Sequence, residues 1–320
     1  MRTGIFILTK PSIKRIALLK NSLYFLFKNY NHAFKHPVHI MSTSEFTISQ
    51  KEEIVMGIRE ECRDCMHFDV VTIETPPEID TTKLNKCINT MPTINWGKVY
   101  ERNIEYFWLF TFWEKFGDKF DYILKMNDDI LVEEPIKEDM FKLIDNRASH
   151  ILYCHIKKDC PIESFGIRNY LIANFQQHAD LINQAMSATR ISDTKSLESF
   201  KELYKLTFNK DYQDIDLYEP LTCNDSFLLI RSSFMTGPKM KPYLDKIKEI
   251  GYLHYFKWNI GMILSLLTLC LYTDKYIHFK FKLSEKVHRE AEVDKNDESI
   301  IISKVPSKYS ESGCYTSYKK

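Results

Sequence analysis

Glycine is scarce in this sequence, 9 residues of 320, while aromatic residues reach 13%. That balance excludes collagen-like, linker-rich and disordered chains. Neither sign of charge predominates, with 44 Lys and Arg against 43 Asp and Glu and a net charge of +1. No global field draws the chain to nucleic acid or to an anionic membrane, so any basic site must be local. Cysteine is sparse as well: the eight, at positions 62, 65, 87, 154, 160, 223, 270 and 314, show no repeated spacing, which excludes a disulfide scaffold. Cys62-Arg-Asp-Cys65 is a lone CxxC with no second pair, and reduced thiols are expected there. Long hydrophobic runs are missing too. The most apolar stretch, Trp258 to Tyr272, falls short of the roughly 20 residues of a membrane span and is flanked by Lys257 and Asp274. It reads as a buried helix. Met1 to Thr9 passes from a basic start into an apolar run stopped by Lys10-Pro11, which reads as a first strand and not as a secretory signal.

What is present is enough apolar material, 44% of residues, to bury a large core in one domain. Gly4 to Leu8 is an apolar run, followed by Ile16, Leu19, Leu23, Leu26 and Phe27 at helical spacing. Val38 to Met41 and Phe68 to Ile73 read as further strands, with Ser49-x-x-Glu52 as a capping box between them. Asn103 to Phe116 is a helix so aromatic that little of it can face water. Phe120 to Met126 and Ile151 to Cys154 are strands, Arg168 to Gln213 reads as largely helical, Phe227 to Ile230 returns to the sheet, and Ile277 to Leu283 alternates as a half-exposed strand. Strands alternating with helices predict an α/β fold with a mainly parallel, Rossmann-like sheet flanked by helices. Residues 1–290 are expected to form the catalytic domain, and 291–320, charged and Ser-rich, a tail in which Ile300 to Ile302 could dock as a strand.

The chemistry-bearing element is Asn127-Asp128-Asp129, which follows an apolar strand directly. Ligands of open α/β sheets collect beyond the carboxyl ends of the strands, and paired carboxylates there suit a hard divalent cation held against a diphosphate. An ordinary Asn/Asp turn accounts for the same residues. Spacing alone leaves both readings open.

Tyr30 to Pro37, Ser44 to Thr47, Phe120 to Ile130, Ile230-Arg-Ser232, Phe256-Lys-Trp258, Ser265 to Leu269 and Ile277-His-Phe279 resemble, in order, segments of glycosyltransferase family 15, the fungal α-1,2-mannosyltransferases. The resemblance is scattered but colinear from about Thr3 to His288. It implies a GT-A type glycosyltransferase fold, a GDP-mannose donor, Mn²⁺ or Mg²⁺, retention of the sugar's configuration, and a glycan or glycoprotein acceptor. By position, Asp129 takes the family's metal-binding Asp, and Asp128 stands where Pro is usual, which makes the motif closer to the general DxD element. His288 matches a late metal-binding His, although a surface histidine would look the same.

Two departures stand out. The family's Arg-Trp-Gly-Asp appears as Lys257-Trp258-Asn259-Ile260, so its carboxylate is gone. Near the family's Phe-Glu-Ile this chain reads Thr222-Cys223-Asn224-Asp225-Ser226, and Asp225 replaces the candidate catalytic Glu only with a shift of about two residues; a turn Asp before a strand is the competing reading. Thr9 and Lys10 stand where such enzymes touch the donor nucleotide, Lys125 replaces an Arg beside the metal motif, and Tyr100 and Tyr106 border the donor pocket on this comparison. Solvated lysines and core aromatics would account for the same residues. A UDP-sugar donor, or a pseudoenzyme that binds sugar nucleotides without turnover, are the alternative functions. The family works in the Golgi behind an anchor; the sequence as it stands is expected to be cytoplasmic, with the Golgi or ER lumen as the alternative.

Overall fold

The computed structural model describes residues 1–90, 99–158, 163–189, 194–211, 217–272, 275–279, 283–285, 291–293 and 300–302. In β1 (Thr3–Leu8) the fully buried Ile5 and Ile7 belong to one core and Phe6 to the other, so this strand needs a sheet covered on both faces. The remaining strands are β2 (Val38–Ser42), β3 (Met66–Val70), β4 (Tyr122–Asn127), β5 (Ile130–Val132), β6 (Ile151–Tyr153), β7 (Ile156–Lys158), β8 (Met186–Thr189), β9 (Leu217–Cys223), β10 (Phe227–Arg231), β11 (Tyr276–His278), β12 (Leu283–Glu285), β13 (Ala291–Val293) and β14 (Ile300–Ile302). Among the described residues, seven of them form one sheet in the order β11-β6-β10-β4-β1-β2-β3. All neighbours are parallel except β10, which runs antiparallel to both β4 and β6.

The helix Ile13–Leu26 lays Ile16, Leu19, Leu23 and Leu26 on the face carrying Ile5, Ile7, Leu124 and Met126. On the other face, Phe6, Ile123, Leu228 and Ile230 meet an aromatic wall built from Phe107, Trp108, Phe112, Trp113 and Phe116, together with the helix Ile260–Leu271. The aromatic segment is helical over Val99–Tyr106 and Phe112–Phe116, joined by one π-helical turn, Phe107–Thr111. The apolar stretch after Trp258 is a buried helix, as expected, and no described helix is long and apolar enough to cross a membrane.

Several local expectations need correction. The capping box is formed by Thr47 and Gln50, two residues before the expected Ser49 and Glu52. Both frames fit the pattern; the buried Phe46 anchors the chain just ahead of Thr47, while Ser49 and Glu52 face solvent. The third strand ends at Val70 and not at Ile73, because Ser42, its last partner on β2, ends that neighbour. The segment expected to be largely helical from Arg168 contains β8, which pairs with β9 in a small separate sheet that also holds β7. The expected strand Ile277 to Leu283 divides into β11, beside β6, and β12, beside β5. Ile300–Ile302 pairs with β13 and not with the main sheet. Cys62 and Cys65 are both free thiols, as expected.

Candidate active site

β1 and β4 are parallel neighbours with Leu8 opposite Asn127, so Thr9-Lys10 and Asp128-Asp129 leave the sheet side by side. The Thr9 hydroxyl donates to Asp128 Oδ2 at 2.5 Å. Arg15 Nε donates to the same oxygen at 2.8 Å, and Arg15 Nη2 pairs with Oδ1. Asp128 is 1% exposed and its carboxylate is thus saturated by Thr9 and Arg15. Arg15 Nη1 stands 3.5 Å from Asp129 Oδ2, the limit of hydrogen-bond length. Asp129 is the less committed to Arg15.

Arg15 sits in the first turn of the helix capped by Ser12, where a cation opposes the helix dipole. Asp128 offsets that penalty. Sequence reading passed over Arg15, although a basic first turn without any acidic residue was a usable signal. On the other side of Thr9, Lys10 Nζ lies 3.9 Å over the ring of Tyr100, which joins two of the expected donor residues in one contact. Burial raises the Tyr100 phenol, against a hydrogen bond with Thr43.

Because β10 runs antiparallel to β4, with Phe227 opposite Met126, the residues just before β10 arrive at the same end of the sheet. Asn127 N–H donates to Ser226 C=O at 2.8 Å there. Lys125 shares the face of Ile123 and points into the aromatic side: it is 3% exposed, with its Nζ 5.4 Å from the Trp108 ring. That ammonium donates to Asp225 C=O at 2.5 Å, to Asp225 Oδ2 at 3.3 Å and to Asn127 Oδ1 at 3.2 Å. Lys125 is therefore engaged by Asp225. Burial alone would raise Asp225, but Lys125 and Lys157 outweigh it and hold the carboxyl below its usual range.

A second carboxylate reaches this spot unannounced. Glu105, partly buried on the helix Val99–Tyr106, accepts from Ile260 N–H through Oε2 at 2.9 Å. Ile260 is the residue at which the sequence comparison loses a carboxylate; the structure supplies one to its amide from another element. Burial first, and then the charge of Asp225, push Glu105 up to about 7, against Lys125, Lys157 and the Ile260 amide. An acid inside a helix too aromatic to face water was the available signal. Tyr106 is placed in the core, with its hydroxyl donating to Glu78 at 3.2 Å. His288 lies outside the described residues, and among those described no group of three His, Cys, Asp or Glu side chains could hold a metal.

No protein-family model matches the sequence, and no curated protein does. Solved structures do. The mannosyltransferase Ktr4p from S. cerevisiae superposes with a TM-score of 0.70 over 89% of this chain and 70% of its own, at 15% identity. That likeness gives the fold, of the GT-A type. Core-mannan synthase A from Aspergillus fumigatus, solved in an Mn/GDP form, gives a TM-score of 0.66 over 89% of this chain and 74% of its own, at 14% identity. The GT-A architecture expected from the sequence is thus the one observed, and it sets Thr9, Lys10, Arg15, Asp128 and Asp129 at the carboxyl ends of its central strands.

Proposed function

We propose that this chain is a retaining glycosyltransferase that moves mannose from GDP-mannose to a hydroxyl of a glycan or glycoprotein, with residues 1–290 as the catalytic unit. The reading is carried by one observation: Thr9, Lys10, Tyr100, Asp128 and Asp129 meet at adjacent carboxyl ends of the sheet. Support comes from Ktr4p, solved in complex with GDP, and from the Mn/GDP form of core-mannan synthase A, which share the fold. Lys10 and Arg15 place fixed positive charge where a diphosphate would leave, and the ring of Tyr100 offers a flat neighbour for a base.

Asp129 offers the hard carboxylate oxygen that a divalent cation takes. Asp129 is the carboxylate less engaged by Arg15, so Asp129 and His288 would hold Mn²⁺ or Mg²⁺, with Asp128 fixing the guanidinium beside them. The cation, when bound, supplies charge to the leaving diphosphate. On the sugar side, Lys125 keeps Asp225 ionised, so it can stabilise the positive charge that develops on the sugar as the diphosphate departs.

The test is a donor screen with the purified full chain and Mn²⁺, following nucleotide release from each common sugar nucleotide. GDP-mannose turnover is the expected result. Release from a UDP-sugar alone moves the donor assignment, GDP binding without release favours the pseudoenzyme, and absence of any nucleotide binding refutes the reading.

A further inference from the structure

The amino ends of β1 and β4, where Thr3 stands opposite Tyr122, open into a cavity of about 560 Å³. Six residues of strand at about 3.3 Å each set it roughly 20 Å from Asp128, so it is no part of the cleft at the carboxyl ends. Backbone pairing fixes its frame: Asp121 N–H donates to Arg2 C=O at 2.8 Å, and Ser232 N–H to Asp121 C=O at 2.9 Å. Asp118, Asp121 and Asp145 line it together with Arg2 and Arg231, and Phe120 adds a partly exposed ring. Arg2 holds Asp121, with Nη2 2.9 Å from Oδ1. Asp145 Oδ1 accepts from the Tyr122 hydroxyl at 2.5 Å and stands 3.5 Å from Arg231 Nη2; its Oδ2, on a side chain 53% exposed, has no partner among the described residues. Ser232 is in the wall too, 3% exposed, and among the described residues its buried hydroxyl has no hydrogen-bond partner. Packing gives no reason for that hydroxyl, because alanine fills the same space without burying a polar group.

We propose that this cavity is a binding site for a neutral saccharide, separate from the catalytic cleft. A pyranose carries hydroxyls that each donate and accept, and an apolar C–H face. The cavity answers both: Asp145 Oδ2 is an acceptor, the guanidiniums of Arg2 and Arg231 bring N–H donors beside the carboxylates, and the Phe120 ring suits the C–H face. Charge selects among the other ligands. Three carboxylates against two guanidiniums repel an anion such as phosphate, and a cation would have to take carboxylates that arginines already hold. A neutral polyol uses the hydrogen-bonding capacity left over and keeps both ion pairs in place. The size agrees as well, since small-molecule sites run from roughly 300 to 1,000 Å³. Nothing in this depends on which sugar nucleotide the other end of the sheet takes.

The test titrates mannotriose, and separately inorganic phosphate, into the full chain and two variants, with amide hydrogen exchange as the readout so that each site reports its own affinity. Asp145→Ala removes the free acceptor. Ser233→Trp starts from an exposed position of the wall and sets a bulky ring across the cavity while leaving both ion pairs, so it decides the matter if Asp145→Ala folds poorly. In the wild type mannotriose is expected to slow exchange over residues 117–122 and 231–236, and in both variants the affinity read at those segments should fall at least about tenfold, with the circular dichroism spectrum of the wild type retained. Equal protection in all three proteins overturns the proposal. So does a wild type that mannotriose protects only at the carboxyl ends of the strands, or one in which phosphate protects residues 117–122 and mannotriose does not.

Discussion

Glu105→Gln makes a stability prediction that needs no substrate. A carboxyl held at about 7 in the folded chain, against an ordinary 4.5, makes the folded state bind the proton more tightly than the unfolded one. The sign follows: the wild type pays nothing for this group below pH 4.5, loses stability as pH rises from 4.5 to 7, and carries the full penalty above 7. At 1.36 kcal/mol per pKa step, the penalty at pH 8 is about 3 kcal/mol. Partial contact with solvent makes that a ceiling, and about 2 kcal/mol is the working value. Urea denaturation of both proteins at pH 5, 6, 7 and 8 measures it, since other titrating groups cancel in the difference. The variant should be more stable than the wild type by about 0.8 kcal/mol at pH 5 and by about 2 kcal/mol at pH 8. A difference that does not vary with pH, or a wild type that gains on the variant as pH rises, refutes the reasoning.

Other perturbations separate the parts of the site. Asp129→Ala, or a chelator, should lower nucleotide release by about 100-fold or more while moving stability by less than about 1 kcal/mol; full activity in chelator sinks the metal reading. Arg15→Ala removes the cation that saturates the buried Asp128, and a loss of about 2 kcal/mol in denaturant titration is expected. Lys125→Met leaves Asp225 without its ammonium and should cost about 3 kcal/mol, with the deficit shrinking in acid as Asp225 takes up a proton. Gly261→Ala would bring a Cβ to 2.4 Å from Cys223 C=O, and a cost of about 1–3 kcal/mol with impaired turnover is the expected outcome of displacing the end of β9, which leads into the turn that carries Asp225.

Much of the frame was legible in the residues themselves. The apolar runs at Gly4 to Leu8 and at Phe120 to Met126 gave strands, the Leu19 and Leu23 spacing gave the first helix, and placing Asp128 and Asp129 after a strand put them at its carboxyl end. These are local: period and punctuation are set by neighbours in sequence. Whether a carboxylate serves a metal, an arginine or a lysine is not local. Asp128 could not be known to face Arg15, 113 residues away, nor Asp225 to hold Lys125, 100 residues away, until the register of β1, β4 and β10 was fixed. Glu105 is the clearest case, for its partner is a backbone amide 155 residues on, and a backbone donor leaves no signature in the side-chain alphabet. The sequence by itself determined where the central apolar strands and the first helix lie and which side chains can ionise; tertiary packing decided where several strands stop, which charges meet and how deeply, because pairing, desolvation and Coulomb energy depend on distance in space and not along the chain.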